Sequence, residues 1–296
     1  MSGRTSHAVR MSALVIGVAI VAAATLTACV PVQKCNGYAA LCDRAYDAVS
    51  YPTTHNAMSN IAEGWAGPLQ SYGLTRQLNE GVRGLMLDTH YNAGSSPTAP
   101  NDVALLCHGP CQYGWERLSD GLTKIKTFLD NHPDEVVTII FETYVTPADT
   151  KAAFDLSGAS SLVATHTPGA AWPTLRQMIA SNQRLVVMTD SGGGTYPWYL
   201  PVWSEAFDNP YAAKTVADLS CNLNRGNGNN RLFILNNFLT NPVGNRQLAA
   251  QANAMPDFLT RAQNCQVARS HLPNFVTVDF YEIGGVMSVV KTFNGV

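Results

Sequence analysis

Short apolar runs recur along the chain at residues 85–87, 103–106, 136–141, 185–188, 232–235 and 275–280, most of them rich in Val, Ile, Leu and Phe. Unbroken apolar runs of this length, unlike strictly alternating ones, predict strands covered on both faces, as the strands of a parallel sheet are. Between them the apolar positions take helical spacing. Residues 118–128 begin a segment that places Leu122, Ile125 and Leu129 on one side, and residues 175–179 form a shorter one. Residues 245–266 carry Leu248, Met255, Phe258 and Leu259, with Pro256 set to start or kink a helix. Strands alternating with helices over this length predict an α/β fold, either a barrel or a doubly wound sheet; periodicity does not separate the two.

One apolar run does not fit the alternation. Residues 11–28 form an Ala- and Val-rich stretch behind Arg4, His7 and Arg10, the charged-then-apolar order of an export signal, and they are short for a permanent membrane helix. The stretch ends Leu26-Thr27-Ala28-Cys29, which resembles the lipobox of bacterial lipoproteins, whose cysteine is lipidated and becomes the first residue. The expected division is an export signal at 1–28, a lipidated tether at 29–35 and one domain at 36–296. The protein would then sit on a membrane surface through Cys29, with plain secretion as the alternative.

Setting Cys29 aside leaves six of the seven cysteines, an even set that suits disulfides in an oxidising compartment. No CxxC pair speaks for zinc. Many pairings are open; short-loop closure favours Cys35 with Cys42 and Cys107 with Cys111, which leaves Cys221 with Cys265. A hydrophobic content of 46% against 14% charged residues excludes a disordered chain and suits one large core, and a monomer is expected. The net charge of -2 supplies no basic field for nucleic acid, although a single locally bound phosphate remains compatible with it.

The polar residues that close the apolar runs carry the chemistry. His55 and Asn56 follow 49–54, Asp88 and His90 follow 85–87, His108 follows 103–106, Glu142 follows 136–141, Asp190 follows 185–188, and Asp279 lies near the end of the last run. In a barrel the C-terminal strand ends converge on one mouth, so residues far apart in sequence become neighbours there. His55 and His108 can serve as base and acid, since imidazole both accepts and returns a proton near neutral pH. Asp279 is the candidate for fixing the tautomer of His55. Asn56, Asp88 and Glu142 are hard oxygen donors suited to Ca²⁺, or else hydrogen-bonding partners that orient the histidines. His90 stands aside, and His7, His132, His166 and His271 have no comparable setting.

The motifs run in order: Pro52-Thr53-Thr54-His55-Asn56-Ala57, Gly81-Val82-Arg83-Gly84-Leu85-Met86-Leu87-Asp88, Leu106-Cys107-His108-Gly109, and Asn131-His132-Pro133-Asp134-Glu135-Val136-Val137 leading to Phe141-Glu142. This series resembles the catalytic X region of phosphatidylinositol-specific phospholipase C. Later stretches, Trp172-Pro173-Thr174-Leu175, Gln183-Arg184-Leu185-Val186-Val187 and the segment from Pro273 to Tyr281, look like its secreted, disulfide-containing branch, the PLC-like phosphodiesterases.

The resemblance implies an irregular (β/α)8 barrel of the TIM type. It also implies cleavage of an inositol phosphodiester or phospholipid through a cyclic intermediate, with His55 as general base and His108 as general acid. Metal-free members place arginine where this chain has Asp88 and lysine near Glu142, whereas calcium-dependent members carry Asn, Glu, Asp and Glu. Asn56, Asp88 and Glu142 match three of those four, and Met86 stands at the remaining place, where a thioether is a poor ligand for a hard cation. Ca²⁺ is therefore the expected cofactor, at a weakened site. Arg83 and Asp190 are the expected substrate contacts, with a structural salt bridge as the alternative for Arg83. Two other functions stay open: a surface protein that binds phosphorylated headgroups without cleaving them, and a hydrolase of a non-inositol diester.

Overall fold

The computed structural model describes residues 1–8, 11 and 32–296. Most of the expected export signal and its Leu26-Thr27-Ala28-Cys29 end lie outside the described residues. The larger compact unit runs from Gln33 to Val296. Its strands are β1 (Tyr51–Thr54), β2 (Gly84–His90), β3 (Leu105–Leu106), β4 (Glu116–Arg117), β5 (Val137–Thr143), β6 (Leu185–Thr189), β7 (Tyr199–Pro201), β8 (Ala206–Asp208), β9 (Leu232–Asn236) and β10 (Pro273–Val278). Its helices are α1 (Leu74–Asn79), α2 (Leu118–Asn131), α3 (Pro147–Ser157), α4 (Leu175–Ala180), α5 (Val202–Glu205), α6 (Arg246–Ala252), α7 (Asp257–Arg269) and α8 (Val286–Asn294). Among the described residues no helix is long and apolar enough to cross a membrane.

Eight strands form one curled sheet in the order β7-β6-β5-β2-β1-β10-β9-β8, with every neighbouring pair parallel. Residues of one parity face the lumen: Tyr51, Ile140, Val186, Met188, Leu232, Ile234 and Phe275 pack together there. The opposite parity, including Leu85, Leu87, Ile139, Val187, Leu235 and Val276, packs outward under the helices. This two-sided burial is what the unbroken apolar runs encode. The helix of residues 118–128 extends to Asn131 and buries Leu118, Leu122, Ile125, Phe128 and Leu129. Thr174 starts α4 through a reciprocal capping box with Gln177. At 245–266 the chain forms two helices: Asn245 caps α6, and Pro256 holds the N-cap of α7.

Three departures from the sequence reading matter. Residues 103–106 do not make a parallel strand; β3 is a two-residue piece that runs antiparallel to β2 and pairs outward with β4. No helix separates β2 from β3, and without a crossover the chain can return only antiparallel. The strand expected at 275–280 runs Pro273–Val278, because Phe280 takes a left-handed φ of 45°. The edge strands β7 and β8 are three residues each, too short to show a pattern, and the sheet path ends on them without pairing them to each other.

The cysteines pair as Cys35–Cys42, Cys107–Cys111 and Cys221–Cys265. Arg83 immediately precedes β2. Its Nε donates to Glu135 Oε2 at 2.7 Å, its Nη1 donates to the carbonyls of Leu78 and Val82, and its guanidinium lies over the Phe128 ring. Both partners of the ion pair are largely buried, at 11% and 13% exposure. Removing one partner of such a pair strands the other, so Arg83→Ala is expected to cost about 3 kcal/mol, read as a lower urea midpoint at unchanged slope.

Candidate active site

The mouth is assembled by strand parity and register. His55, Asp88, Glu142, Asp190 and Asp279 each lie an even number of residues beyond the lumen-facing Tyr51, Met86, Ile140, Met188 and Phe275 of their own strands. Each is therefore delivered to the lumen side at the C-terminal edge. β1 meets β10 with Thr54 opposite Val278, which sets His55 beside Asp279. β2 meets β5 with Asp88 opposite Glu142, and β5 meets β6 with Phe141 opposite Thr189, which brings Asp190 next to Glu142. Left-handed backbone at Asn56 and Phe280 turns the chain sharply just past His55 and Asp279.

His55 is held on two sides. Its Nδ1 donates to Asp279 Oδ1 at 2.9 Å, and the Phe238 ring stacks on it at a centroid distance of 3.9 Å. Nδ1–H on the carboxylate leaves Nε2 as the lone-pair atom facing the mouth. His108 arrives from outside the barrel: Cys107 N–H donates to the Asp88 carbonyl at 3.2 Å and lays residues 107–111 over the end of β2.

Between the two rings stands the buried amide of Asn56. With its oxygen turned to the histidines, that oxygen accepts from Nε2–H of a doubly protonated His55 at 3.1 Å and from His108 Nε2 at 3.2 Å, while its nitrogen donates to both Asp88 oxygens at 2.9 and 3.0 Å. Turned the other way, the nitrogen donates to a neutral His55 Nε2 at 3.1 Å, and the amide oxygen confronts the Asp88 carboxyl. Two facing acceptors need a proton or a cation between them.

Burial raises Asp88 well above the usual carboxylate range, and Glu142 and Asp190 push it further. Asp190 is also raised by burial, against the Thr143 N–H that donates to it at 2.9 Å. Burial raises Asp279 too, with His55 opposing. Burial, aided by the like charge of His55, lowers His108 to about 4. One side of the mouth thus holds crowded carboxyls that favour a proton or a cation, and the other holds an imidazole that keeps a proton only with an anion beside it.

Two connected spaces serve these groups. A cleft of about 720 Å³ is lined by His55, Asn56, Asp88, His108, Glu142 and Asp279. A chamber of about 350 Å³ shares His55, Asp88 and Glu142 and adds Met86, Asp190 and Arg225. Arg83 is not brought to either. It stands at the N-terminal end of β2, about 16 Å of strand from Asp88, in the ion pair with Glu135. His90 is half-buried on the cleft wall, stacked on Tyr144, whose hydroxyl donates to Glu142 at 2.5 Å.

Residues that sequence reasoning missed include Tyr144, Phe238 and Arg225; Arg225 is clasped by Asp208 and sandwiched between Trp203 and Tyr211. Phe238 follows the apolar run 232–235, so the same strand-end rule reaches it. Arg225 lies in an Asn- and Gly-rich loop with no periodicity to mark it.

The PI-PLC X family profile matches residues 41–294. The chain belongs to the PI-PLC X family. A PI-PLC X domain-containing protein 1 of Arthroderma benhamiae is 30% identical over 286 residues, covering 88% of this chain and 89% of the relative. An uncharacterized secreted protein of the same fungus is 28% identical over 86% of this chain, which spans 61% of that relative's length. Among solved structures, phosphatidylinositol-specific phospholipase C from Listeria monocytogenes superposes with a TM-score of 0.54 at 15% identity, over 90% of this chain and 96% of the other. A mutant of the Staphylococcus aureus enzyme gives 0.57 at 13% identity, over 86% and 95%. These likenesses establish the fold as the irregular α/β barrel of PI-PLC enzymes. Three disulfides and a secreted relative are consistent with export.

The pairing of His55 with Asp279 has a consequence independent of turnover. In ¹⁵N spectra at neutral pH, His55 of this PI-PLC X protein is expected as the Nδ1-protonated tautomer. Asp279→Asn, whose amide can donate as well as accept, is expected to populate the Nε2-protonated form. An unchanged tautomer ratio would remove Asp279 from this role.

Proposed function

We propose that the protein is a phosphoric diester hydrolase of the phosphatidylinositol-specific phospholipase C type, with His55 as general base and His108 as general acid. The observation that carries this reading is the convergence of the two Nε2 atoms on the Asn56 amide, which places two proton-transfer groups about one point in the cleft. His55 Nε2 takes the proton of the attacking inositol hydroxyl, and Asp279 at Nδ1 stabilises the imidazolium that forms. The hydroxyl oxygen bonds to phosphorus, the bond to the lipid alkoxide breaks, and His108 gives that alkoxide its proton. A cyclic phosphodiester results, and water opens it with the two roles reversed. The free His108 is a poor holder of a proton, so the anionic diester completes the acid by lying against it.

Calcium fits the donor set better than a soft metal does, because the atoms with which Asn56, Asp88 and Glu142 can ligate a cation are oxygens, and in one amide orientation the Asn56 oxygen faces the Asp88 carboxyl. Among the described residues no three His, Cys, Asp or Glu side chains converge as a ready metal site. Ca²⁺ held by these three residues would supply positive charge opposite the developing phosphorane oxyanion. Exposed Tyr144, Tyr211 and Val243 rim the cleft, which suits a substrate presented at a lipid surface, with the protein tethered there through Cys29. Met86, facing the chamber beside Asp88, favours a second reading, a protein that binds phosphorylated headgroups without cleaving them.

A chromogenic inositol phosphodiester separates the two readings. His55→Ala and His108→Ala are each expected to lower kcat by at least about 10²-fold, and chelation is expected to lower wild-type turnover until calcium is restored. Binding without product in the wild type would favour the second reading. Turnover in both variants equal to wild type would exclude the first.

A further inference from the structure

His55 and His108 are held by different means. His55 has a carboxylate at Nδ1, an aromatic ring on its face, a backbone N–H donating to the Val278 carbonyl at 3.0 Å, and a carbonyl that accepts from Gln70 at 2.8 Å. His108 has none of these. Among the described residues its ring hydrogen-bonds only the Asn56 amide oxygen, at 3.2 Å, and its own peptide N–H and carbonyl make no backbone hydrogen bond. The next residue is Gly109 at φ 67°, where a side chain would meet nothing within 4 Å. Left to itself, such a segment samples many conformations.

What closes the segment is a covalent bond. Cys107 and Cys111 are joined across a sequence separation of 4, with their Cα atoms 5.1 Å apart. Both cysteines are buried, at 0% and 1% exposure, in a small apolar cluster with Ala99 and Leu105 that is separate from the main core. Each end is also pinned: Cys107 N–H to the Asp88 carbonyl, and Cys111 N–H to Ser95 Oγ at 3.2 Å.

We propose that the Cys107–Cys111 disulfide is the positioning device of His108, doing for this ring what Asp279 and Phe238 do for His55. The proposal rests on the reading of His108 as general acid. Stability is a weaker account of this bond, because the chain entropy a disulfide removes grows with the loop it closes. This loop is the shortest of the three; Cys221–Cys265 spans 44 residues. The protein is then most active where the bridge is oxidised, which suits an exported compartment.

The test compares Cys107→Ser/Cys111→Ser with Cys221→Ser/Cys265→Ser in the full chain. Removing the 107–111 bridge is expected to lower kcat on the inositol phosphodiester 10- to 100-fold, the order that misplacing a reacting group costs. KM should change little, and the melting temperature should stay closer to wild type than in the 221–265 variant. The ¹H–¹³C ring signals of His108, sharp in the wild type, are expected to broaden or split in the 107–111 variant and to stay sharp in the other.

Unchanged kcat in the 107–111 variant, or a fall in kcat with an unaltered His108 signal, overturns the proposal. So does a loss of kcat that simply follows melting in both variants. A wild type without turnover refutes the hydrolase reading instead, and the His108 ring signal then decides on positioning alone.

Discussion

The mouth depends on one pairing, the parallel ladder between β1 and β10. It joins residues from opposite ends of the domain, Tyr51 to Phe275 through Thr54 to Val278, and so brings Asp279 against His55. The ladder is clamped at both ends by side chains. At the N-terminal end Ser50 and Asn294 exchange two hydrogen bonds at 2.9 Å, docking α8 under β1. At the C-terminal end Gln70 donates to the carbonyls of both His55 and Val278. A slip of one residue in this ladder would turn the site residue of the slipped strand out of the lumen and part His55 from Asp279. The buried Asp279 carboxylate tolerates desolvation because that register guarantees it a partner.

Charge at the site follows from the same geometry. Parallel strands in register line up the residues that end them, and here three such residues, Asp88, Glu142 and Asp190, are acidic. Like charges so close, with Asp88 at 7% exposure, cannot all ionise unopposed. On the other flank His108 is desolvated and faces His55, so it loses its proton readily. Asn56 can serve either state because an amide reverses its donor and acceptor by rotating half a turn. Protons and charge can therefore be redistributed across the mouth with no movement of the barrel.

Much of this is legible in the sequence, for a physical reason. Burial on both faces of a parallel strand forces unbroken apolar runs, and the polar residues just past each run mark the mouth. Hence residues 136–141, 185–188 and 232–235 pointed to β5, β6 and β9, and Glu142 and Asp190 were found by position. The rule failed where its premise fails. The apolar run 103–106 belongs to a hairpin outside the parallel ladder, with Ala104 and Leu106 in the main core and Leu105 in a separate small cluster, so its parity carries no information about the lumen. Arg83 precedes its strand and so sits at the far end of the barrel, although in sequence it lies only five residues from Asp88. Arg225 owes its place to Asp208 and two aromatic rings, contacts that no spacing encodes.

The two histidines are thus positioned by unlike structures. His55 is part of the ladder itself, and its geometry is as stable as the fold, because disturbing it means breaking β1 from β10. His108 rides on a loop outside the ladder, attached through the Cys107 N–H on Asp88, the Cys111 N–H on Ser95 and one disulfide. A loop of that kind can move without unfolding anything. The barrel therefore fixes His55 and the carboxyls through its own strand ladder, whereas His108 is carried by a loop outside the ladder that a covalent bond closes.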